Sequence, residues 1–528
     1  MKKKCLILLF SLCLTFSLTS CGKVENIISE NVVQQGEKEN QESEEVIEIS
    51  HDERKHAIHL MSSDAYQTGY SENMGEDLVQ VTYKEISLED CCAEQYPNLN
   101  QAIEKMNAEE QASIETVYQG MMDQVNGFRE EGYAVPYTYE VNENAYVRRA
   151  DENIISVMYR KWECWGNAHV DRYLWGVNID PVTGENISLE DVVTNINKIP
   201  SMVSEYILKY NQQSDTTFYV DVEQYVREHL GELKWNMDYS GLNIYFDAYE
   251  LDSYADGDFC VVIPFADEPN LFVEKYKDVP DCYGMQLRDA EYCYVDLNND
   301  SKMDKVQITS EENEYDMMGY KISVNDTVTS GEFEYYNVDA YLLKAEDEQW
   351  YLYVQGVSEN DYRTIDVYHI DVAGIEKVDS VNAGWYSVML SEIDRYGEQI
   401  LTDPGAFKLD TRTDYLSTAT AYKSYKIGKD GMPITDDSWY QLQNEWILTL
   451  KQPVDAELVD ESTGEVKEKV SLKKGEQVQY VRTDDETMAD LRRSDGTIVR
   501  VAVDTENWPR TIDGIDIETI FDGIIFAG

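Results

Sequence analysis

Residues 97–128 carry the clearest pattern in the chain. Leu99, Ile103, Met106, Ile114, Val117, Met121, Val125 and Phe128 fall mostly at three- and four-residue spacing. That period lines one face of a long helix, and Pro97 suits its first turn. Ahead of it, Leu78–Tyr83 alternates as a strand with one buried side. Behind it, residues 137–147, 154–163 and 172–179 read as strands, and Asp180-Pro181-Val182-Thr183-Gly184 as a turn. Ser188, with Asp191 three positions on, predicts a helix start. Helical patterns follow at 200–210 and 222–230, then short strands at 242–246 and 259–264. Long helices beside an antiparallel sheet predict an α+β domain over residues 75–276.

Beyond Cys282 the texture changes. Strand-length runs recur at 291–297, 305–309, 320–324, 339–344, 350–356, 364–371, 385–390, 421–426 and 446–450, with turn residues between them. Regular short strands predict an all-β domain over 282–450, with a propeller-like arrangement as one topology. From 451 to 528, alternation around Lys474-Gly475 and a turn at Asp495-Gly496 predict a small β-barrel. The expected architecture is therefore multidomain. Residues 21–74 stand apart: they are acid-rich and poor in apolar residues, and so read as a disordered tether.

Composition sharpens this picture. The 528 residues hold 39 Tyr and 9 Trp, which suits β-rich domains with aromatic contact surfaces. The net charge is −58, and loss of Lys2, Lys3 and Lys4 would take it to −61. Such acidity excludes nucleic acid, whose binding depends on neutralising phosphates with Lys and Arg. It favours cationic partners, basic proteins or divalent metal, or serves solubility alone. Six cysteines lie beyond residue 21: Cys91, Cys92, Cys164, Cys260, Cys282 and Cys293. An even number permits disulfides, buried thiols are equally compatible, and spacing does not choose a pairing. No C-x-x-C is present, which disfavours zinc and thioredoxin-like chemistry.

Three segments resemble known families. Met1–Cys21 has three lysines, an apolar run from about Cys5 to Leu18, and Leu18-Thr19-Ser20-Cys21 at its end. It resembles a bacterial lipoprotein signal peptide (1–20) closing in a lipobox. The resemblance implies lipidation of Cys21, a membrane anchor and an extracytoplasmic location at the cell envelope. Gly166-Asn167-Ala168-His169, Tyr173–Asp180, Thr183-Gly184 and Ser188–Val192 form a second set. Tyr245–Gly257 and Val262–Phe265 belong with them. Together they resemble the RsiV-like domain, found in a lysozyme-sensing anti-sigma factor and in the non-catalytic part of a peptidoglycan deacetylase. That resemblance implies peptidoglycan or lysozyme as partner class. The last 50 or so residues resemble, more weakly, a bacterial SH3-type domain.

Two motifs suggest ligands. Asp296, Asn298, Asp300 and Asp304 stand at positions 1, 3, 5 and 9 of a calcium loop, with the Lys302 carbonyl at 7. Ser301 and Gln307 depart from that pattern, and an Asx-rich turn is the alternative. Trp165, His169, Tyr173 and Trp175 surround a hairpin and are candidates for an aromatic contact surface, with a structural His as the alternative reading. No G-x-S-x-G, H-E-x-x-H, Walker or Rossmann motif occurs. His169, His229 and His369 are widely spaced. The expectation is a non-enzymatic binding lipoprotein that recognises a lysozyme-type protein or a cell-wall glycan. A peptidoglycan-modifying enzyme or its accessory, and a structural envelope scaffold, are the alternatives.

Overall fold

The computed structural model describes residues 57–71, 76–133, 135, 137–166, 169–210, 218–315, 317–331, 334–391 and 395–526. The signal segment and Cys21 lie outside them. The tether expected to reach residue 74 is corrected from residue 57 onward. Ala57 and Ile58 are buried, and Leu60–Ser71 forms a strand, β1. β1 pairs antiparallel with β2 (Glu76–Leu88), Ala65 opposite Tyr83. Its buried side is built from Met61, Ser63, Ala65 and Gly69, small or polar for the most part, so hydropathy alone hides the strand. Gly69 lets α2 approach closely: a Cβ there would stand against the Met122 sulfur, which would have to move.

A short helix, α1 (Asp90–Gln95), leads into α2 (Pro97–Glu130). Pro97 sits in its first turn, where no intrahelical N–H is needed. Leu99, Ile103, Ile114, Met121 and Val125 are its buried stripe. α2 is the crossover that lets β3 (Tyr139–Asp151) lie parallel to β2, Val81 opposite Val141. β4 (Ile154–Cys164) and β5 (Asp171–Ile179) then continue the sheet antiparallel.

α3 (Ile199–Tyr210) and α4 (Val222–Glu228) pack with a three-stranded sheet of β6 (Lys234–Met237), β7 (Gly241–Phe246) and β8 (Phe259–Pro264). Val203, Ile207, Val226, Leu242, Ile244 and Ile263 share their core.

β9 (Tyr283–Leu287) opens the next region. β10 (Cys293–Val295), β11 (Asp304–Glu312), β12 (Met318–Val324) and β13 (Thr327–Ser330) form a four-stranded sheet. β14 (Asn337–Lys344), β15 (Trp350–Val357), β16 (Arg363–Asp371) and β17 (Gly374–Val381) form a second, with β9 at its edge. These are two unequal sheets rather than a ring of four or more like blades, so the propeller expectation is not met.

After β18 (Gly384–Trp385), the chain returns to the first sheet. β19 (Ser387–Ser391) and β20 (Arg395–Ile400) complete it in the order β19-β20-β1-β2-β3-β4-β5. Leu60 pairs with Ile400. The strands that follow are β21 (Phe407–Thr413), β22 (Ala419–Ile427), the two-residue β23 (Pro433–Ile434), β24 (Tyr440–Leu450), β25 (Val454–Val459), β26 (Val466–Leu472), β27 (Gln477–Thr483), β28 (Met488–Arg493) and β29 (Ile498–Ala502). With β18 they make one open sheet, not a separate closed barrel at 451–528. The reason is β24: one edge meets β22, Ala421 opposite Leu442, and the other meets β27, Leu448 opposite Val478. Strand pairing thus crosses the boundaries expected at 74, 282 and 450. The architecture is β-rich and multi-sheet with few helices. No helix among the described residues is long and apolar enough to cross a membrane. All six cysteines are thiols, with Cys91 and Cys92 Sγ atoms 4.0 Å apart.

Candidate functional site

Strand alternation gives the first sheet two faces. One face lies under α2 and carries Ala65, Val81, Val141 and Tyr159. On the other face, a row of cross-strand neighbours runs through five strands. Tyr66 pairs with Thr82, Thr82 with Asn142, Asn142 with Trp162, and Trp162 with Arg172. At the usual strand spacing the row is about 19 Å across. Tyr66 is 75% exposed, and the other four are half-buried.

This row is short of internal partners. Asn144 Nδ2 donates to Asn142 Oδ1 at 2.6 Å. The Asn142 amide N–H groups, the Asn144 carbonyl, the Trp162 indole N–H and the Tyr66 hydroxyl form no other hydrogen bond among the described residues. Two aromatic rings with free amide donors and acceptors between them suit a sugar. Rings cover the C–H faces, and amides bond hydroxyl and N-acetyl groups.

The candidates singled out by sequence do not converge on this row. Trp165 turns to the α2 side, where its indole N–H donates to Glu163 at 2.8 Å and its ring lies against Gly120. Tyr173 and Trp175 also face the α2 side. The Lys161 ammonium lies 5.4 and 5.8 Å from their rings, and Trp175 stacks on Tyr159 at 5.2 Å. His169 alone is exposed near the open face. Its ring is 4.5 Å from Tyr254, whose ring also carries Arg172 at 5.6 Å. Asn167 and Ala168 of the same hairpin lie outside the described residues. Sequence reasoning missed Tyr66, Asn142 and Arg172. The available signal was parity: Trp162 and Tyr173 sit on adjacent strands, yet the register sends them to opposite faces.

Beneath α2 lies a different polar site. Glu143 is 1% exposed, and neither of its oxygens meets an ordinary donor. Burial, then the charge and hydrogen bond of neighbouring Glu110, push its carboxyl up to about 9. A proton on Glu143, donated to Glu110, gives each carboxyl one partner and leaves the second Glu143 oxygen without one among the described residues. Lys161 pairs with Glu163 at 3.2 Å alongside. This carboxyl is sealed under the helix, so it cannot meet a substrate as a cleaving acid would.

The calcium-loop residues lie between β10 and β11. Asp296 accepts from the backbone N–H groups of Asp300 at 3.0 Å and Ser301 at 2.7 Å. Asn298 also accepts from Asp300 N–H at 3.1 Å. Asp300 accepts from Lys302 N–H at 2.9 Å, and this bond, first among several, holds its carboxyl below the usual range. Asp304 accepts from Leu297 N–H at 3.1 Å and Asn325 at 2.8 Å. The side chains thus act as turn acceptors, with Asn299 and Ser301 at φ 58° and 65°. Among the described residues, no group of three or more His, Cys, Asp and Glu is placed to hold a metal ion.

No family model matches the chain, and no curated protein matches it. Solved structures similar to it include a member of the DUF3298 family from Bacteroides fragilis. That protein is 12% identical, with 42% of this chain and 95% of that chain covered at a TM-score of 0.32. A DUF3298 family protein from Pseudomonas aeruginosa is 12% identical, with 42% and 97% covered at a TM-score of 0.28.

Proposed function

We propose that this chain is a binding lipoprotein, anchored through Cys21, that takes a cell-wall glycan strand across the open face of its first sheet. The row Tyr66–Thr82–Asn142–Trp162–Arg172 carries the reading, because its aromatic and amide groups are accessible and unspent. The RsiV-like motifs supply the partner class. The proposed role is retention without bond cleavage. Calcium, if the Asp296–Asp304 loop takes it, would be structural. Millimolar Ca2+ would then raise the melting temperature, and an unchanged temperature removes it.

A second reading has its own observation. The outer side of α2 exposes Glu104, Glu109, Glu115, Asp123 and Glu130, and the whole chain is strongly acidic. A basic, lysozyme-type protein would be attracted there, with an on-rate that falls as salt rises.

The test uses the full mature chain against insoluble cell wall and lysozyme in parallel. Retention on the wall without release of soluble muropeptides is the expected result. Trp162→Ala should weaken retention about tenfold or more, the scale of a lost aromatic anchor. Capture of lysozyme alone would transfer the function to the second reading. Product release would make the protein an enzyme or its accessory, and no binding to either would leave an envelope scaffold.

A further inference from the structure

We propose that one end of the open face is a seat for an oxyanion: Arg160 and Arg172, backed by Arg288, receive a carboxylate or phosphate group borne by the glycan. The seat rests on the glycan reading above and names the chemistry of its ligand.

Arg160 lies on β4 opposite Leu174, while Arg172 lies two residues along β5 opposite Trp162. The two are diagonal neighbours on one face, within reach of a shared ligand for side chains this long. Among the described residues, Arg160 has no hydrogen bond and no ion pair, although it is half-buried. Among the same residues, Arg172 has only the Tyr254 ring as a partner. Arg288 stands on the same side and contacts Asp258 at 3.5 Å and Glu291 at 3.7 Å. Glu291 is shared with buried Arg148 at 3.7 Å. Four guanidinium groups therefore face three carboxylates, Asp258, Glu291 and Asp238, and among the described residues the Nε atoms of Arg148 and Arg288 lack hydrogen-bond partners, as does Glu291 Oε2.

The local surplus runs against the whole molecule, which has 44 basic and 102 acidic residues. A half-buried cation is costly when nothing opposes it, and a carboxylate would be easy to place in so acidic a chain. Burial, then the nearby Arg288, weaken the hold of Arg160 on its proton, and Asp258 offsets this only in part. Met158, Leu174 and Tyr245 form an apolar floor close by, which strengthens any charge contact made above it. Asn144 faces Arg160 across the strands with its carbonyl free. A sugar on Trp162 and Asn142 would bring its acidic substituent to the two arginines, whose forks match carboxylate and phosphate oxygens.

The experiment compares an N-acetylglucosamine–N-acetylmuramic acid disaccharide with the same disaccharide as its carboxamide. Binding to the full mature chain is followed by calorimetry, and inorganic phosphate is used separately in thermal shift. The acid should bind about tenfold more tightly than the amide, as a charge-assisted pair would give. Arg160→Gln should erase that ratio while leaving amide affinity and melting temperature near the native values, and Arg172→Gln, which also belongs to the row, should weaken the acid more than the amide. Phosphate should raise the melting temperature of the native chain and not of Arg160→Gln. Equal binding of acid and amide overturns the seat and leaves the glycan reading standing. Failure of both sugars removes the glycan reading, and a phosphate shift that depends on Arg160 then upholds the seat alone. No sugar binding and no phosphate shift overturns both.

Discussion

The two faces of the first sheet hold similar residue types in opposite circumstances. Under α2, Glu143 is closed off from water and must keep its proton, while Tyr159 and Trp175 stack as core. On the open face, Trp162, Asn142 and Arg160 are half-buried and keep unspent hydrogen-bonding groups. The backbone between them is shared, so the difference arises from what covers each face. A polar group beneath a helix is a load on stability; one on an open face is a handle for a ligand.

Mutations should separate the faces in that order. The largest effect belongs to the covered face. Leu99→Ala, at a fully buried position of α2, should cost about 2–5 kcal/mol in chemical denaturation, whereas Thr82→Ala on the open face should stay within about 0.5 kcal/mol. A comparable loss at Thr82 would mean that the open face is core. Next comes Glu143→Gln. The folded chain holds the Glu143 proton up to about pH 9, but the unfolded chain releases it at the ordinary carboxylate value. Below that ordinary value both states are protonated and the group costs nothing. As pH rises toward 9 the native protein loses stability, and Gln has no proton to lose. The variant should match the native protein at pH 4 and exceed it by on the order of 2 kcal/mol at pH 8. Parallel stability curves across that window would contradict the assignment.

Trp162→Ala should then reverse the pattern, with glycan retention falling about tenfold while the melting temperature moves by a degree or two at most. The smallest effect is expected for Tyr173→Ala. Its ring lies on the α2 side beside Lys161, so retention on cell wall should be unchanged. If Tyr173 mattered and Trp162 did not, the two faces would have to exchange roles.

Much of the local structure is legible from periodicity. The stripe of α2 and the strand Phe259–Pro264 match their expected spans closely, because each buries one regular face of ordinary apolar residues. β1 is illegible for a chemical reason: Ser63, Ala65 and Gly69 fill most of its buried side, so it lacks the apolar alternation of an ordinary strand. The domain boundaries fail for a topological one. β20 and β24 each pair with strands from another expected domain, and no local pattern encodes a distant partner. The proposed binding face needed register. Trp162, Trp165 and Trp175 look alike in composition, and a single-residue parity decides which face of the sheet each ring takes. Cys21 lies outside the described residues and rests on its sequence context alone.

The union of β1 with β20 also sets a timetable. The Ile58 carbonyl accepts a hydrogen bond from Thr402 Oγ1, a partner 344 residues away along the chain. At ordinary translation rates that interval is on the order of 20 to 70 seconds. Throughout it, the edge of β1 at Leu60–Ser63 has no β20 to pair with, and such an edge invites strands of other chains. A product truncated at residue 276 would keep that edge bare permanently. It is therefore expected to aggregate, although every strand of the open-face row would be present.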